Sequence, residues 1–452
     1  MIDRWPRDAR PAMSSCACCS PPRQPRCVDT WTIVSGFTRR CTKQEDWGFG
    51  QAANGSLAGC YCQVEPGLCG TTIRGDVLRL RRGGYTLPSA DAGLADIDDT
   101  HMKLAVFLPN WIGDVVMATP TLRAVRNHFG PHATLIGVLR PYVADVLAGT
   151  SWLDERILYN PRAKDRRLRT WSMLKTLRAA RPDAVLLLTN SLRTGVLAWA
   201  SGAGQRIGYA RNARGPLLTH KLYHPRVGRK WLPTPAIDAY LQLAYALGCR
   251  PEPPRLELAT LNADEAQADA IWNKYKLPPG DQVVMLNSGG AFGAAKLWPA
   301  EYFAELARRI AIEQRMAVLV NCGPSERAIA AEIVRRAAHA GVVSLAEEEV
   351  PIGLNKACIR RSRLLVTTDS GPRFFAVAFG VPVVSLFGPT HIAWSQTHWA
   401  GEICLQREVP CGPCMQRTCP LEHHRCMREL SVDEVYAAVK RQLHRDRSEC
   451  AA

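Results

Sequence analysis

Leu364–Thr390 reads LLVTTDSGPRFFAVAFGVPVVSLFGPT. Leu364–Thr367 is an apolar, β-prone run ending in Asp369-Ser370-Gly371-Pro372, and the spacing predicts a helical segment over Phe374–Phe379. Gly380 stops that helix, and a second buried strand, Val383–Phe387, closes on Gly388-Pro389-Thr390. Strand, Gly-containing turn, helix and strand make an α/β unit with a parallel sheet. Pro372 suits the first helical position, where its missing N–H is no loss. The N–H groups of that helix start are suited to an anion, and Asp369 falls at a strand end, where parallel sheets bind ligands. An ordinary buried βαβ turn with an Asp cap has the same pattern, so the stretch decides the fold class before it decides a function.

The scheme repeats on either side. Upstream in the same half, strands are expected at 282–286, 317–321 and 342–345, with helices at 300–314 and 326–340. Ser431 with Glu434 three residues on predicts a capped final helix over 431–445. An earlier half begins at Met102. A strand over 103–109, the turn Asn110-Trp111-Ile112-Gly113-Asp114 and one amphipathic helix over 115–129 lead to short strands at 133–139, 184–188 and 205–209. A helix is expected at 170–180 and a linking helix at 263–276. Strands alternating with helices imply two doubly wound domains facing across a cleft. The expected division is 102–262, a linker at 263–281, a second domain at 282–430, and a C-terminal helix and tail at 431–452. Residues 1–101 carry eight scattered cysteines without helical or strand periodicity. They read as a disordered leader or as the product of an early start codon, with the working fold starting at Met102.

The formal net charge is +16, but residues 1–101 hold 12 Lys/Arg against 11 Asp/Glu, so +15 sits in residues 102–452. A basic body calls for an anionic partner, and no nucleic-acid motif accompanies the charge. The long uncharged run Phe374–Trp394 is cut by Gly380, Pro382, Gly388 and Pro389 into pieces too short to span a bilayer. The first 30 residues lack an apolar signal core. The 17 cysteines are therefore expected in a reducing compartment.

Four places could carry chemistry. Asp114 opens a helix after a strand and a Gly-containing turn; its carboxylate can accept a proton from a substrate hydroxyl or merely stabilise the helix dipole. Ser288–Lys296 places Gly289, Gly290 and Gly293 before Lys296, which resembles a phosphate cradle without being a Walker A loop; a flexible loop with a solvated lysine has the same pattern. Cys411, Cys414, Cys419 and Cys426, with His423 and His424, could bind zinc or a cluster, or be structural thiols or disulfides. The basic run Arg162, Lys164, Arg166, Arg167 and Arg169 reads as a solvated face or a membrane-facing one.

Taken together, LPNWIGDVVMATP (108–120), GGAFGAAKLWP (289–299), TTDSG (367–371) and VPVVSLFGPT (381–390) resemble the glycosyltransferase family 9 heptosyltransferases, especially their heptosyltransferase II branch. The resemblance covers residues 103–445. It implies a GT-B fold, with the acceptor on the first domain and ADP-heptose mainly on the second. It also implies inverting transfer of heptose to the lipopolysaccharide inner core (a Kdo-lipid A acceptor), without a metal or other cofactor, at the inner face of a bacterial cytoplasmic membrane. Asp114 would be the general base and Lys296 would neutralise the diphosphate. Donor binding would fall to Gly289, Gly290, Gly293, Asp369, Ser370, Gly371, Arg373, Gly388 and Thr390. The family commonly has His where this chain has Phe374, with Arg373 beside it as the available substitute donor. Two readings stay open beside this one: a GT-B transferase with another sugar nucleotide or acceptor, and a catalytically impaired sugar-nucleotide-binding relic.

Overall fold

A computed structural model describes residues 101–445 apart from 229 and 291; the expectation for residues 1–101 therefore lies outside the described residues except at His101. Six strands form the first sheet: β1 (Lys103–Phe107), β2 (Thr134–Leu139), β3 (Glu155–Leu158), β4 (Ala184–Leu187), β5 (Gln205–Tyr209) and β6 (His220–Leu222). They are all parallel, in the order β3-β2-β1-β4-β5-β6. A small antiparallel hairpin follows, β7 (Arg226–Val227) with β8 (Lys230–Trp231).

The second sheet comprises β9 (Val283–Asn287), β10 (Ala317–Asn321), β11 (Val342–Ser344), β12 (Leu364–Thr368), β13 (Val383–Phe387) and β14 (Glu402–Gln406). It repeats the first in the order β11-β10-β9-β12-β13-β14, again all parallel. Both orders reverse beside their first strand, β1 or β9, and that switch point is where doubly wound sheets bind ligands. The central strands β9, β12 and β13 are buried at every residue, as covering both faces of a parallel sheet requires.

Two expectations need correction. The single helix over 115–129 is two, Ile112–Met117 and Thr119–Phe129, which meet at Ala118 just ahead of Pro120. The helix after Asp369 starts at Gly371 rather than Phe374, which puts Pro372 second. The final helix, Val432–Leu443, is capped by Ser431 and Glu434 as expected, and its apolar face lies in the core on the outer side of the second sheet.

The two halves are not separate bodies. One continuous apolar core runs from Leu104 and Val116 through the Ala236–Tyr245 helix to Met285, Ile359, Phe374 and Val383. Two further clusters cover the outer faces of the two sheets. The Asn262–Lys274 segment, expected as a linker, packs on the Ile352–Arg361 helix, where Glu265 pairs with both Arg360 and Arg361 at 2.8 Å. Lys356 on that helix is wholly buried and donates across the seam to the carbonyls of Ala259, Asp145, Ala148 and Val146 at 2.8–3.3 Å.

Candidate active site

The seam brings the two Gly-containing turns together. Asp114 stands in the first turn of the Ile112–Met117 helix, which the Asn110–Trp111 turn delivers from the end of β1. The Gly371–Ala378 helix starts opposite it. A Cβ built on Gly371 would lie 3.0 Å from Cγ2 of Ile112, so glycine at 371 is what lets the two helix starts approach. Asp114 is half-buried. Burial pushes its carboxyl up, the Asp369 charge adds to the rise, and the Lys296 ammonium works against it. Asp114, Asp369 and Lys296 thus feel one another across the seam.

On the second half, Lys296 ends a 3-10 turn over Ala294–Lys296 and is buried. Its Nζ donates to the Asp369 carboxylate at 2.6 Å and to the Asp369 carbonyl at 2.8 Å, and lies 4.4 Å from the Phe292 ring centre. Asp369 also accepts from Thr390 at 2.8 Å, Arg373 at 3.3 Å and Ser395 at 3.5 Å. Burial alone would raise its carboxyl; Lys296 and then Arg373 outweigh this and hold it below the usual range. An ammonium has three donors, and two of Lys296's go to Asp369.

The glycines position this assembly. Gly290 lies under Ser370, with a built Cβ 3.1 Å from that residue's own Cβ. Gly289 abuts Glu326, and Gly293 has φ +148° with no room for a Cβ beside the Arg417 carbonyl. Gly388 packs on Met427. Ser370 precedes the helix and accepts from Asn287 Nδ2 at 3.0 Å. Arg373 is wholly buried; its guanidinium goes to Glu402 on β14, at 2.9 Å for one bond of the pair, and to Ser395 at 3.0 Å. It braces Asp369 from behind and does not face the cleft. Phe374 is buried against the Ile112–Met117 helix start.

Cys411, Cys414, Cys419, Cys426 and His423 do come together, around a small cavity of about 20 Å³. Burial, then the neighbouring thiols of Cys414, Cys411 and Cys419, push Cys426 up to about 11. All four are free thiols, and among the described residues no group of three or more Cys, His, Asp or Glu has the arrangement of a metal site.

Sequence reasoning missed several members of the site. Asn287 ties Gly289, Thr367 and Ser370 together; an Asn ending a buried apolar strand was the available signal. Glu402 sits on an edge strand that no pattern marked. Arg417, from the cysteine loop, has its guanidinium 5.6 Å from the Trp111 ring centre and 5.7 Å from that of Phe292, reaching across both halves. Tyr240 lies near enough to Asp114 for that carboxylate, after burial, to help raise its hydroxyl well above the ordinary value.

The chain is similar to known proteins in sequence and in fold. The sequence profile described as glycosyltransferase family 9 (heptosyltransferase) matches residues 170–425. Lipooligosaccharide heptosyltransferase 2 of Campylobacter jejuni is 25% identical over 352 residues, 75% of this chain and 99% of that protein. Lipopolysaccharide heptosyltransferase 2 of Escherichia coli K12 is 27% identical over 64% of this chain and 83% of that one. The crystal structure of a family 9 glycosyltransferase from Veillonella parvula has the same fold, with a TM-score of 0.64 at 24% identity over 77% of this chain and 98% of that one. The E. coli ADP-heptose lps heptosyltransferase II structure follows with a TM-score of 0.60 at 21% identity, covering 76% and 98%. With more than half of its length matched by the family's profile, this chain belongs to glycosyltransferase family 9, the heptosyltransferases.

Proposed function

We propose that the protein transfers heptose from ADP-heptose to the inner core of lipopolysaccharide, inverting the anomeric centre in one in-line displacement. The observation that carries this reading is the packing of the helix start that holds Asp114 against the one that follows Asp369, at Gly371–Ile112 and Gly113–Phe374, with Lys296 hydrogen-bonded to Asp369. Asp114 accepts the acceptor hydroxyl's proton as the oxygen attacks. Its raised pKa brings a carboxylate nearer to the operating range of a base, and Lys296 helps keep it ionised. The third N–H of Lys296 and the first-turn N–H groups at Gly371 stabilise the departing diphosphate, a fixed set of donors suited to charge that develops in the transition state. Asp369 holds Lys296 in place, and a donor hydroxyl would replace the long Ser395 contact on its other oxygen.

With these donors present, the reaction needs no metal on this reading. The acceptor is presented at a membrane surface, and the basic segment Arg162–Arg169 leads directly to Trp171, 82% exposed at the start of the Thr170–Ala180 helix. Exposed Trp beside Arg and Lys is suited to an anionic bilayer interface. The test is a transfer assay with ADP-heptose and a Kdo-lipid A acceptor carrying one heptose, with and without chelator, against Asp114→Ala. Transfer that survives chelation and vanishes in Asp114→Ala supports the reading. Loss of transfer on chelation, restored by added metal, removes the metal-free part. Wild type that binds ADP-heptose but never transfers it favours the reading as a relic.

A further inference from the structure

The first half holds a second polar cluster that the chemistry above leaves unused. After β5 the chain turns through Arg211 and Arg214; β6 and the β7–β8 hairpin then return His224, Arg226 and Trp231 to the same place. The rings of Tyr209 and His224 stack at 3.9 Å with 15° between their planes, and Trp231 meets His224 edge-on at 5.9 Å. The guanidinium carbons of Arg211 and Arg226 lie 4.5 and 3.2 Å from the Trp231 ring centre. Arg214 is wholly buried, donating to neutral acceptors such as the Tyr209 carbonyl at 2.8 Å and Asn190 Oδ1 at 3.0 Å.

Three features of this cluster suit it to an anion. Among the described residues, no carboxylate forms an ion pair with Arg211, Arg214 or Arg226. Among the described residues, the charges acting on Arg211, Arg214 and His224 are those of neighbouring arginines; with burial first, they depress His224 to about 4 and leave its ring neutral at physiological pH. His224 is 6% exposed, yet its Nε2 is buried without a hydrogen-bond partner. Crowding like charges costs free energy that an aromatic face offsets only in part, and a buried polar atom without a partner costs more. An oxyanion resolves both, because guanidinium forks match carboxylate and phosphate oxygens and a neutral imidazole can donate from Nε2.

The cluster is also well placed. Arg211 follows the end of β5 on the sheet edge from which Asp114 follows β1. Tyr240 links the two sites, since both Asp114 and Tyr209 act on its hydroxyl. We propose that Arg211, Arg226 and His224 Nε2, backed by Arg214 and Trp231, bind an acidic group, carboxylate or phosphate, of the acceptor glycan. This rests on the reading of the first half as the acceptor side.

The test follows the His224 imidazole resonances of the full chain by NMR, with ADP present to occupy the donor half. The chain is titrated with Kdo (a carboxylate sugar), with inorganic phosphate and with a neutral methyl mannoside. A saturable movement of the His224 signal with Kdo alone assigns a carboxylate site, and with phosphate alone a phosphate site. Movement with both assigns a general oxyanion site, and the neutral sugar leaves the signal in place. Arg226→Gln, at an exposed residue, weakens the acid by about tenfold, the loss of one charged hydrogen bond, and leaves ADP affinity unchanged. No movement with either acid, or equal movement in the Arg211→Gln/Arg226→Gln double variant, overturns the proposal. Because binding is read without turnover, failure of heptose transfer would leave this result standing. Transfer with an unchanged acceptor KM in Arg226→Gln would sink the subsite alone.

Discussion

The ring of Phe374 lies directly on Gly113: a Cβ at residue 113 would stand 2.7 Å from both Cδ2 and Cε2 of that ring. Two residues distant in sequence thus set how closely the helix start carrying Asp114 approaches the one that follows Asp369. Gly113→Ala is expected to overpack this seam at a cost of about 1–3 kcal/mol and to lower transfer as the two turns move apart. Denaturant unfolding beside the transfer assay checks both. Unchanged stability would show that the seam is looser in solution.

Phe374→His introduces a hydrogen-bond donor at a position that has none of its own. Arg373 cannot substitute, because its guanidinium is spent on Glu402, Ser395 and Asp369. If the imidazole reaches a donor phosphate, ADP should bind about tenfold tighter, the gain of one charged hydrogen bond. Calorimetry with ADP decides; an unchanged Kd would mean the wild-type site does not lack that bond.

Asp114→Asn separates function from stability. A carboxyl raised above its unfolded value of 3.8 contributes fully to stability only below that value, and loses the contribution as pH rises through the folded pKa. At neutral pH the native state therefore bears a cost that Asn removes. The variant should melt higher than wild type at pH 7, with the difference shrinking toward pH 3, while kcat falls by about 10²–10⁴-fold. A lower melting temperature at pH 7 would contradict the burial argument.

Lys296→Ala should lose about 2.7–4 kcal/mol of transition-state stabilisation, the cost of one preorganised donor in comparable sites. The loss should fall on kcat rather than on the KM for the acceptor. Thr390, Ser395 and Arg373 still hold Asp369, so the fold should survive. A KM effect alone would recast Lys296 as a binding residue.

The Arg373–Glu402 pair should govern acid sensitivity. Glu402 accepts from Arg373, Ser385 and Thr397. Although burial opposes it, Arg373 holds its carboxyl below the ordinary 4.5. Stability from Glu402 is therefore present above that value and lost as pH falls through the lower folded pKa. Glu402→Gln leaves the buried Arg373 with only the longer Asp369 pair, which Lys296 already shares, and should cost about 3 kcal/mol. Melting curves from pH 7 to 3 should show the wild type losing this margin and the variant already without it.

Much of the site was legible because its residues sit at turns. Asp114 and Lys296 follow a buried strand through a Gly-containing turn and Asp369 follows one directly, so strand periodicity and turn chemistry place them at the C-terminal ends of parallel strands without tertiary information. The missed strands have the opposite character. Glu155–Leu158, His220–Leu222 and Glu402–Gln406 lie at or next to sheet edges and mix charged with apolar residues, since a strand open on one side has little need of a continuous apolar run. The break at Ala118 escaped notice because apolar spacing continues across it.

By itself the sequence determined two parallel sheets, the turns that end their strands and the family to which the chain belongs, because each rests on patterns within some twenty residues. Only the tertiary structure decided that the halves share one core, that Lys296 is paired with Asp369, that Arg373 faces inward to Glu402, and that three arginines surround His224. These facts depend on which side chains from distant segments reach the same volume, and on what charge must be balanced there once water is gone. Local periodicity carries no record of either.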